Sequence, residues 1–449
     1  MPSMKQKAIW GTIWTIGGYG SSQALRLVGN LILTRLLVPE LFGLMALVQT
    51  FITGLTLFSD LGIRPAIIRS SRGDDPVFLN VAWTLQAIRG IWIWLLCVVI
   101  AWPVAQFYQD QRLIWLIPIV GLGALLSGFD STSLATINRK VETGKLIRFE
   151  FTIQAVSLVV MVVWAYFRQS IWALVGGNII SHLLKLFWSH RLYPQVKNRF
   201  AWEKSAAQEL FSFGKWIFIS TIMTFLAGQA DRLILGRLFS LELLGLYTVA
   251  FTLADLPRQV MLKVTNQVMF PIISQYMHLG RKELREKILK KRWFLLLGLA
   301  VLVTILASFG DFLILFLYDD RYNQAAWMLP VLAVGLWPLL LSITINNVLF
   351  SIGKPIYIAM GNALKFIYMI TLLPLAYSRF GIGGAIVVIA FNDILPYCVV
   401  NYGLWKENVS GLFQDLQATL VFLSLLALVL FGRYSLGWGL PISTLLSTS

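Results

Sequence analysis

Ten of the ionisable residues that lie inside apolar stretches are candidates for chemistry: Arg26, Asp60, Arg89, Asp130, Lys185, Asp255, Arg258, Asp311, Lys365 and Asp393. A charge in the apolar interior of a bilayer costs a few kcal/mol unless it faces a partner or a wet cavity. Local spacing accounts for some of them. Asp60 and Arg64 are four residues apart and Asp255 and Arg258 three, which brings each pair together on one helix face. Lys185 can stretch its stem towards a basic membrane face, and Asp311 can lie near the opposite interface. Arg26, Arg89 and Lys365 have no acidic residue three or four positions away.

These three come from both halves of the chain and, with Arg258, are the expected lining of a transport pathway. A guanidinium grips phosphate or carboxylate through two parallel hydrogen bonds, so a cation-rich cavity suits an anionic substrate. Asp60, Asp255 and Asp393 are the expected sites of coupling to a proton or sodium ion, whose binding would favour one conformation over another.

Other chemistry finds no foothold in the sequence. It holds no GxxxxGK[ST] loop, HExxH, GxSxG or GxGxxG. His182, His190 and His278 are scattered and lack the carboxylate partners of a metal site. Cys97 and Cys398 both fall inside apolar stretches and make no disulfide framework. Neither a metal nor a cofactor is expected.

The elements that must position these residues are membrane helices. The 449 residues are 57% hydrophobic and 13% charged, with a mean hydropathy of +0.74, too apolar for a soluble protein of this length. Runs of about twenty apolar residues, each able to cross the bilayer as a helix, recur at 8–37, 41–62, 78–106, 112–136, 149–167, 171–193, 210–236, 241–275, 293–318, 325–350, 356–378, 383–405 and 417–432. A marginal fourteenth lies at 434–446. The first run is too long and too mixed for a signal peptide and should remain as a helix.

The net charge of +16 sets orientation and does not point to nucleic acid. Twenty-two Lys and Arg fall in one alternate set of connecting segments and seven in the other, which places the N-terminus and the basic set in the cytoplasm. The stretch RKELREKILKKR, ending at Arg292, reads as a basic amphipathic helix that could lie on anionic lipid. Gly17, Gly18 and Gly20 in the first run, Pro257 in the eighth, and Pro330 and Pro338 in the tenth are sites where a helix could bend or unwind, or, for the glycines, pack closely.

The segment Leu31 to Phe51, LILTRLLVPELFGLMALVQTF, returns as Leu233 to Leu253, LILGRLFSLELLGLYTVAFTL, with ten of twenty-one positions identical, Arg35/Arg237, Glu40/Glu242 and Gly43/Gly245 among them. Six spans separate the copies, an even number, so both halves enter the membrane in the same direction. The expected fold is an all-α integral membrane protein of two six-helix transmembrane bundles related by a pseudo-two-fold axis along the membrane normal, plus one or two extra C-terminal helices. The expected divisions are an N-terminal lobe at 1–193, a cytoplasmic linker at 194–209, a C-terminal lobe at 210–405 and additional segments at 406–449.

The stretch from Arg26 through TRLLVPELFGLMALV, the following LFSDLGIRPAIIRS, the loop NRKVETGKLIRFE, and the run QADRLILGRLFSLELLGLYTVAFTLADLP with MFPIIS resemble the polysaccharide transporter, or oligosaccharide flippase, family. That family belongs to the superfamily that also holds multidrug and toxin extrusion (MATE) transporters and lipid II flippases. The resemblance covers about residues 5 to 405. It implies a MATE-like fold around a cavity that opens alternately to the two sides. It also implies a substrate, an undecaprenyl-pyrophosphate-linked oligosaccharide, turned from the cytoplasmic to the outer leaflet of a bacterial inner membrane for O-antigen, exopolysaccharide or capsule assembly. Membrane lipids, a glycan polymerase and glycosyltransferases of the same pathway are the partners this implies. Two alternatives remain at this point. A multidrug or organic-cation antiporter of the same superfamily predicts an acidic cavity. A membrane-embedded glycan polymerase or ligase predicts a large outer loop.

Overall fold

The computed structural model describes residues 4–140, 142–265 and 280–441, and within its helices the side chains of 4–16, 19, 143 and 212–220 are not described. His278 and the MFPIIS motif lie outside the described residues, as does most of the marginal fourteenth span.

Among the described residues the chain is helical throughout its spans. The first half contains α1 (Met4–Leu36), α2 (Pro39–Phe58), α3 (Ile63–Arg69), α4 (Pro76–Tyr108), α5 (Leu113–Gly128), α6 (Ser133–Arg139), α7 (Thr143–Phe167) and α8 (Ile171–Leu192). The second contains α9 (Lys204–Leu238), α10 (Leu241–Ala254), α11 (Leu256–Val264), α12 (Arg281–Leu317), α13 (Asn323–Gly335), α14 (Trp337–Ile343), α15 (Asn346–Ser351), α16 (Ile356–Ala390), α17 (Ile394–Lys406) and α18 (Leu412–Ser435). Seven described stretches are long and apolar enough to cross a bilayer, and two bent pairs raise this to nine. One of the seven, Ile356–Lys406, is 51 residues long, enough for two crossings. It divides at Gly381, whose φ of 60° and ψ of −146° break the helix in a region open to glycine.

The outer surface is what lipid requires. Trp92, Val99, Trp102, Phe187, Phe316 and Phe431 are all more than 60% exposed, which would be an aggregation hazard in water but is the normal face of a membrane helix.

Helix breaks fall where backbone chemistry forces them. The second span turns at Ser59–Gly62, where Gly62 adopts left-handed φ and its N–H donates to Asp60 Oδ1 at 3.0 Å. The eighth breaks at Asp255, just before Pro257, and the tenth bends by 41° at Leu336, just before Pro338. Pro330, by contrast, sits inside α13 without breaking it. Of the glycines of the first span, Gly18 serves packing, while a Cβ on Gly17 or Gly20 would meet nothing within 4 Å. The helix α1 runs on unbroken through Gly17, Gly18 and Gly20, and a Cβ on Gly18 would lie 2.2 Å from Ile147 Cγ2 of α7.

The chain forms two compact units, 1–225 and 226–449, with the division inside α9. The duplicated segment ends and restarts a helix at matching positions: Leu36 and Pro39 in the first unit, Leu238 and Leu241 in the second. In each unit the third and fourth spans form the most extensive helix pair, and the fourth also packs on the second and the sixth. The two units share a second echo. The loops after α4 and α12 carry Asp110-Gln-Arg112 and Asp319-Asp-Arg321, in which the Arg N–H donates to the Asp Oδ1 at 2.9 and 3.2 Å.

In the second unit, α18 falls on the expected thirteenth span, 417–432, and it is riveted to α12. Buried Arg292 of α12 contacts Asp415 of α18 at 2.5 Å, and Arg433 of α18 pairs with Asp311 of α12. The basic stretch ending at Arg292 is therefore no separate surface helix. It is the first three turns of α12, with Leu284 and Ile288 packed against Ile345, Val348, Leu349 and Leu404.

Candidate functional site

The fourth span bends by 60° between α5 and α6, and this bend floors a cavity in the first unit. Opening a helix inside a membrane strands backbone groups that water cannot reach. Side chains meet each of these. Gln86 of α4 donates its Nε2 to the carbonyls of Ser127, Gly128 and Asp130 at 3.0–3.2 Å. Trp83 and His190 donate to the Phe129 carbonyl at 3.3 and 3.0 Å. Ser189 Oγ accepts the Ser131 N–H at 3.0 Å, and Asn198 Oδ1 accepts the Thr132 N–H at 3.3 Å. The bend is thus a built joint held from α4, α8 and the segment beyond α8.

The cavity above it has a volume of about 500 Å³, within the usual range for small-ligand sites. Its ionisable lining is Asp60, Arg64, Arg89, Asp130, His182 and Lys185, with Gln49, Gln86 and Asn178 among its polar members. Arg89 is anchored: its Nε donates to Ser59 Oγ at 3.1 Å, its Nη2 to the Thr56 carbonyl at 2.6 Å, and its Nη1 lies 3.9 Å from Asp60 Oδ1. Lys185 Nζ sits 3.0 Å from Asp130 Oδ2. His182 Nδ1 hydrogen-bonds Ser127 Oγ at 2.9 Å. Three cations face two carboxylates, so the wall carries a net positive charge, and the amides supply donors and acceptors suited to hydroxyl-rich ligands.

The structure sorts the sequence candidates. Arg89 and Asp60 come together at this cavity, so Asp60 pairs with Arg89 where spacing suggested Arg64. Lys185 is likewise no snorkelling lysine, since it pairs with Asp130 across 55 residues. Arg26 lies exposed on α1 and is not part of the cavity wall. Lys365, which has no acidic residue three or four positions away, pairs with Asp393 at 2.7 Å. Arg258 pairs with Asp255 at 2.5 and 2.7 Å, as their spacing predicts. Both of these pairs belong to the second unit. There Arg258 also feels the charges of Asp231 and Asp393, and Tyr247 donates its hydroxyl to Asp231. Asp311 is buried against Arg433. His182 and Gln86 were missed as site residues; the signal for both is a polar residue on a helix face directed at the break in the fourth span.

Outside the membrane, Arg72 holds the segment preceding α9. Its Nη2 contacts Asp75 at 2.8 Å and Glu203 at 2.7 Å, and these hydrogen bonds keep both carboxyls below their ordinary range.

Comparison with known proteins agrees with this architecture. The chain is 22% identical over 390 residues to the teichuronic acid biosynthesis protein TuaB of Bacillus subtilis (strain 168), covering 83% of this chain and 78% of that protein. It is 21% identical over 364 residues to the lipopolysaccharide biosynthesis protein WzxC of Escherichia coli (strain K12), covering 79% and 70%. Among solved structures, it superposes on the lipid II flippase MurJ in an inward closed conformation with a TM-score of 0.68 at 11% identity, covering 95% of this chain and 99% of that one. An inward-facing MATE family multidrug transporter gives 0.67 at 12% identity, covering 89% and 95%. The fold is therefore that of these transporters, a multi-pass α-helical membrane protein. The sequence signature described as polysaccharide biosynthesis protein matches residues 32–327, and with well over half its length matched, the chain belongs to that family.

Proposed function

We propose that this chain carries a lipid-linked oligosaccharide from the cytoplasmic to the outer leaflet of the bacterial inner membrane, as a transporter without covalent chemistry. The observation that carries the reading is the cavity of the first unit, where Arg64, Arg89 and Lys185 outnumber Asp60 and Asp130 and amides line the wall. Such a wall receives a hydroxyl-rich, anionic head while a long apolar tail stays in lipid. Relatives named for teichuronic acid and lipopolysaccharide biosynthesis, and the fold shared with a lipid II flippase, support the same class of cargo.

The finer reading follows. The carrier is undecaprenyl pyrophosphate, and the product feeds O-antigen, exopolysaccharide or capsule polymerisation. Lobes at 1–193 and 210–405 rock about the linker 194–209 in alternating access, with 406–449 as an addition to the second lobe. The N-terminus is cytoplasmic by the distribution of Lys and Arg. Arg26, Arg89, Arg258 and Lys365 are pathway candidates, and Asp60, Asp255 and Asp393 are candidates for ion coupling.

A second reading, organic-cation antiport, is favoured by one observation, the three buried carboxylates Asp231, Asp255 and Asp393 around Arg258. The test is turnover of a polyprenyl-pyrophosphate-linked oligosaccharide in proteoliposomes by the intact protein, Arg89→Ala and Arg26→Ala. Turnover that falls at least about tenfold in Arg89→Ala, the loss of one charge-assisted contact, supports the flippase. Transport of an organic cation with no movement of lipid-linked sugar establishes the antiporter in its place.

A further inference from the structure

Residues 193–203, between α8 and α9, form a non-helical strap laid against the first unit. Its backbone is stitched down by side chains of α4: the Arg199 N–H donates to Asn80 Oδ1 and the Ala201 N–H to Thr84 Oγ1, both at 3.0 Å. Glu203 is held by Arg72, and directly after it α9 begins.

Two links run from this strap into the joint of the fourth span. Asn198 is the first. Its Oδ1 accepts from Ser131 Oγ at 2.8 Å and from the Thr132 N–H at 3.3 Å, while its Nδ2 donates to Thr132 Oγ1 at 2.7 Å. The second passes through Trp83, whose ring meets Phe200 of the strap at 4.8 Å and Phe129 of the joint at 6.0 Å. Between Phe129 and Ser131 lies Asp130, which is 3% exposed, pairs with Lys185 and lines the cavity.

We infer that Asn198 is a positioning residue for transport: it fixes the Phe129–Thr132 joint in the shape that presents Asp130 to Lys185 at the cavity floor. Because the strap continues directly into α9, displacement of α9 pulls on Asn198 and reshapes the cavity through the joint. An amide suits the task because it accepts from a backbone N–H and donates to a hydroxyl at once. Aspartate keeps both acceptor contacts, and the Thr132 hydroxyl can turn to donate to it. Alanine keeps none.

The inference rests on the flippase reading for its transport measurement alone, so the test has two arms. The first is hydrogen exchange of the segment 127–136 in the full chain. The second is turnover of a polyprenyl-pyrophosphate-linked oligosaccharide in proteoliposomes, normalised to folded protein. Asn198→Ala is expected to speed exchange in this segment about tenfold, the effect of losing a buried hydrogen bond, and to lower turnover about tenfold by misplacing the cavity floor. Asn198→Asp restores both to within a few fold, and melting temperature stays close to that of the parent protein in both variants. In the double variant Asn198→Ala, Lys185→Ala, the turnover losses overlap and do not multiply, because both act through Asp130.

Unchanged exchange in Asn198→Ala overturns the inference. So does faster exchange with unchanged turnover, or losses that multiply in the double variant. If the parent protein moves no lipid-linked sugar, the flippase reading falls, and the role of Asn198 is decided by the exchange arm together with turnover of the organic cation that the chain then carries.

Discussion

Arg292 on α12 and Asp415 on α18 meet at 2.5 Å with side chains 0% and 2% exposed. Arg292 also donates to Thr344 Oγ1 at 2.7 Å and to the Leu341 carbonyl at 2.8 Å, while Asp415 accepts from Tyr397 at 3.0 Å. One guanidinium therefore ties together the ninth span, the lower part of the bent tenth and the thirteenth.

Breaking that pair leaves a buried charge without its counterion. Asp415→Ala is expected to cost about 3–5 kcal/mol, whereas the apolar double replacement Arg292→Met, Asp415→Leu costs far less. Thermal denaturation of the detergent-solubilised variants measures both. A double variant no more stable than the single one would show that the pair does not act as a unit.

The Asp130–Lys185 pair separates stability from transport. Lys185→Ala should destabilise the protein by leaving Asp130 uncompensated and should also lower turnover. Adding Asp130→Asn recovers the stability without recovering the turnover, since the cavity has then lost both groups. Melting curves and proteoliposome flux on the same preparations decide the matter; joint recovery of both would reduce the pair to scaffolding.

Glycine substitutions should have opposite signs at two helical sites. A Cβ on Gly90 would lie 2.8 Å from Gly128 Cα and 3.0 Å from the Ala124 carbonyl, backbone atoms that cannot rotate away, whereas one on Gly228 meets nothing within 4 Å. Overpacking of about 1–3 kcal/mol at Gly90→Ala outweighs the gain of about 1 kcal/mol in helix propensity. Gly228→Ala collects the gain alone. Melting temperatures should fall for the first and rise slightly for the second.

The strap should loosen in acid. Arg72 depresses the carboxyls of Asp75 and Glu203, so their contribution to holding the strap is complete above the ordinary carboxyl values of 3.8 and 4.5. It is lost as pH falls through the lowered ones. Pepsin cleavage near Phe200 and Trp202, corrected for the enzyme's own pH profile on an unstructured peptide, should rise as pH drops below about 4. In Glu203→Gln it should already be raised at pH 5. Cleavage independent of pH in the parent protein would rule this out.

The helices, their order and the duplication could be read in the sequence because they depend on composition and on local pattern. Over the residues described, every span expected from residue 8 to 432 falls on helix, the fourth and tenth on bent pairs and the eighth on α10 and α11, and the repeated corners break at the same places. The local pair Asp255–Arg258 was equally legible. What escaped were partners joined only by tertiary packing. Lys365 reaches Asp393 at the start of a later helix, and Asp130 reaches Lys185 two spans on; no spacing rule encodes either. Arg292 reads as one more cation of a basic amphipathic helix, because its burial is created by α18 docking on it. His182 looked isolated until the break in the fourth span brought Ser127 to its ring.

Arg292 and Asp311 are 19 positions apart on α12, about 28 Å of helix. Their partners Asp415 and Arg433 repeat nearly the same separation on α18 with the signs exchanged. Only a parallel neighbour in this register satisfies both ends, so the two rivets specify orientation as well as attachment. They also impose an order in time. A ribosome delivers Asp311 122 residues before Arg433, so Asp311 must wait in the membrane for the counterion it has in the finished fold. The second unit gains this contact from one late helix, and until that helix docks the chain holds a carboxylate without its counterion, a polar mark of unfinished assembly.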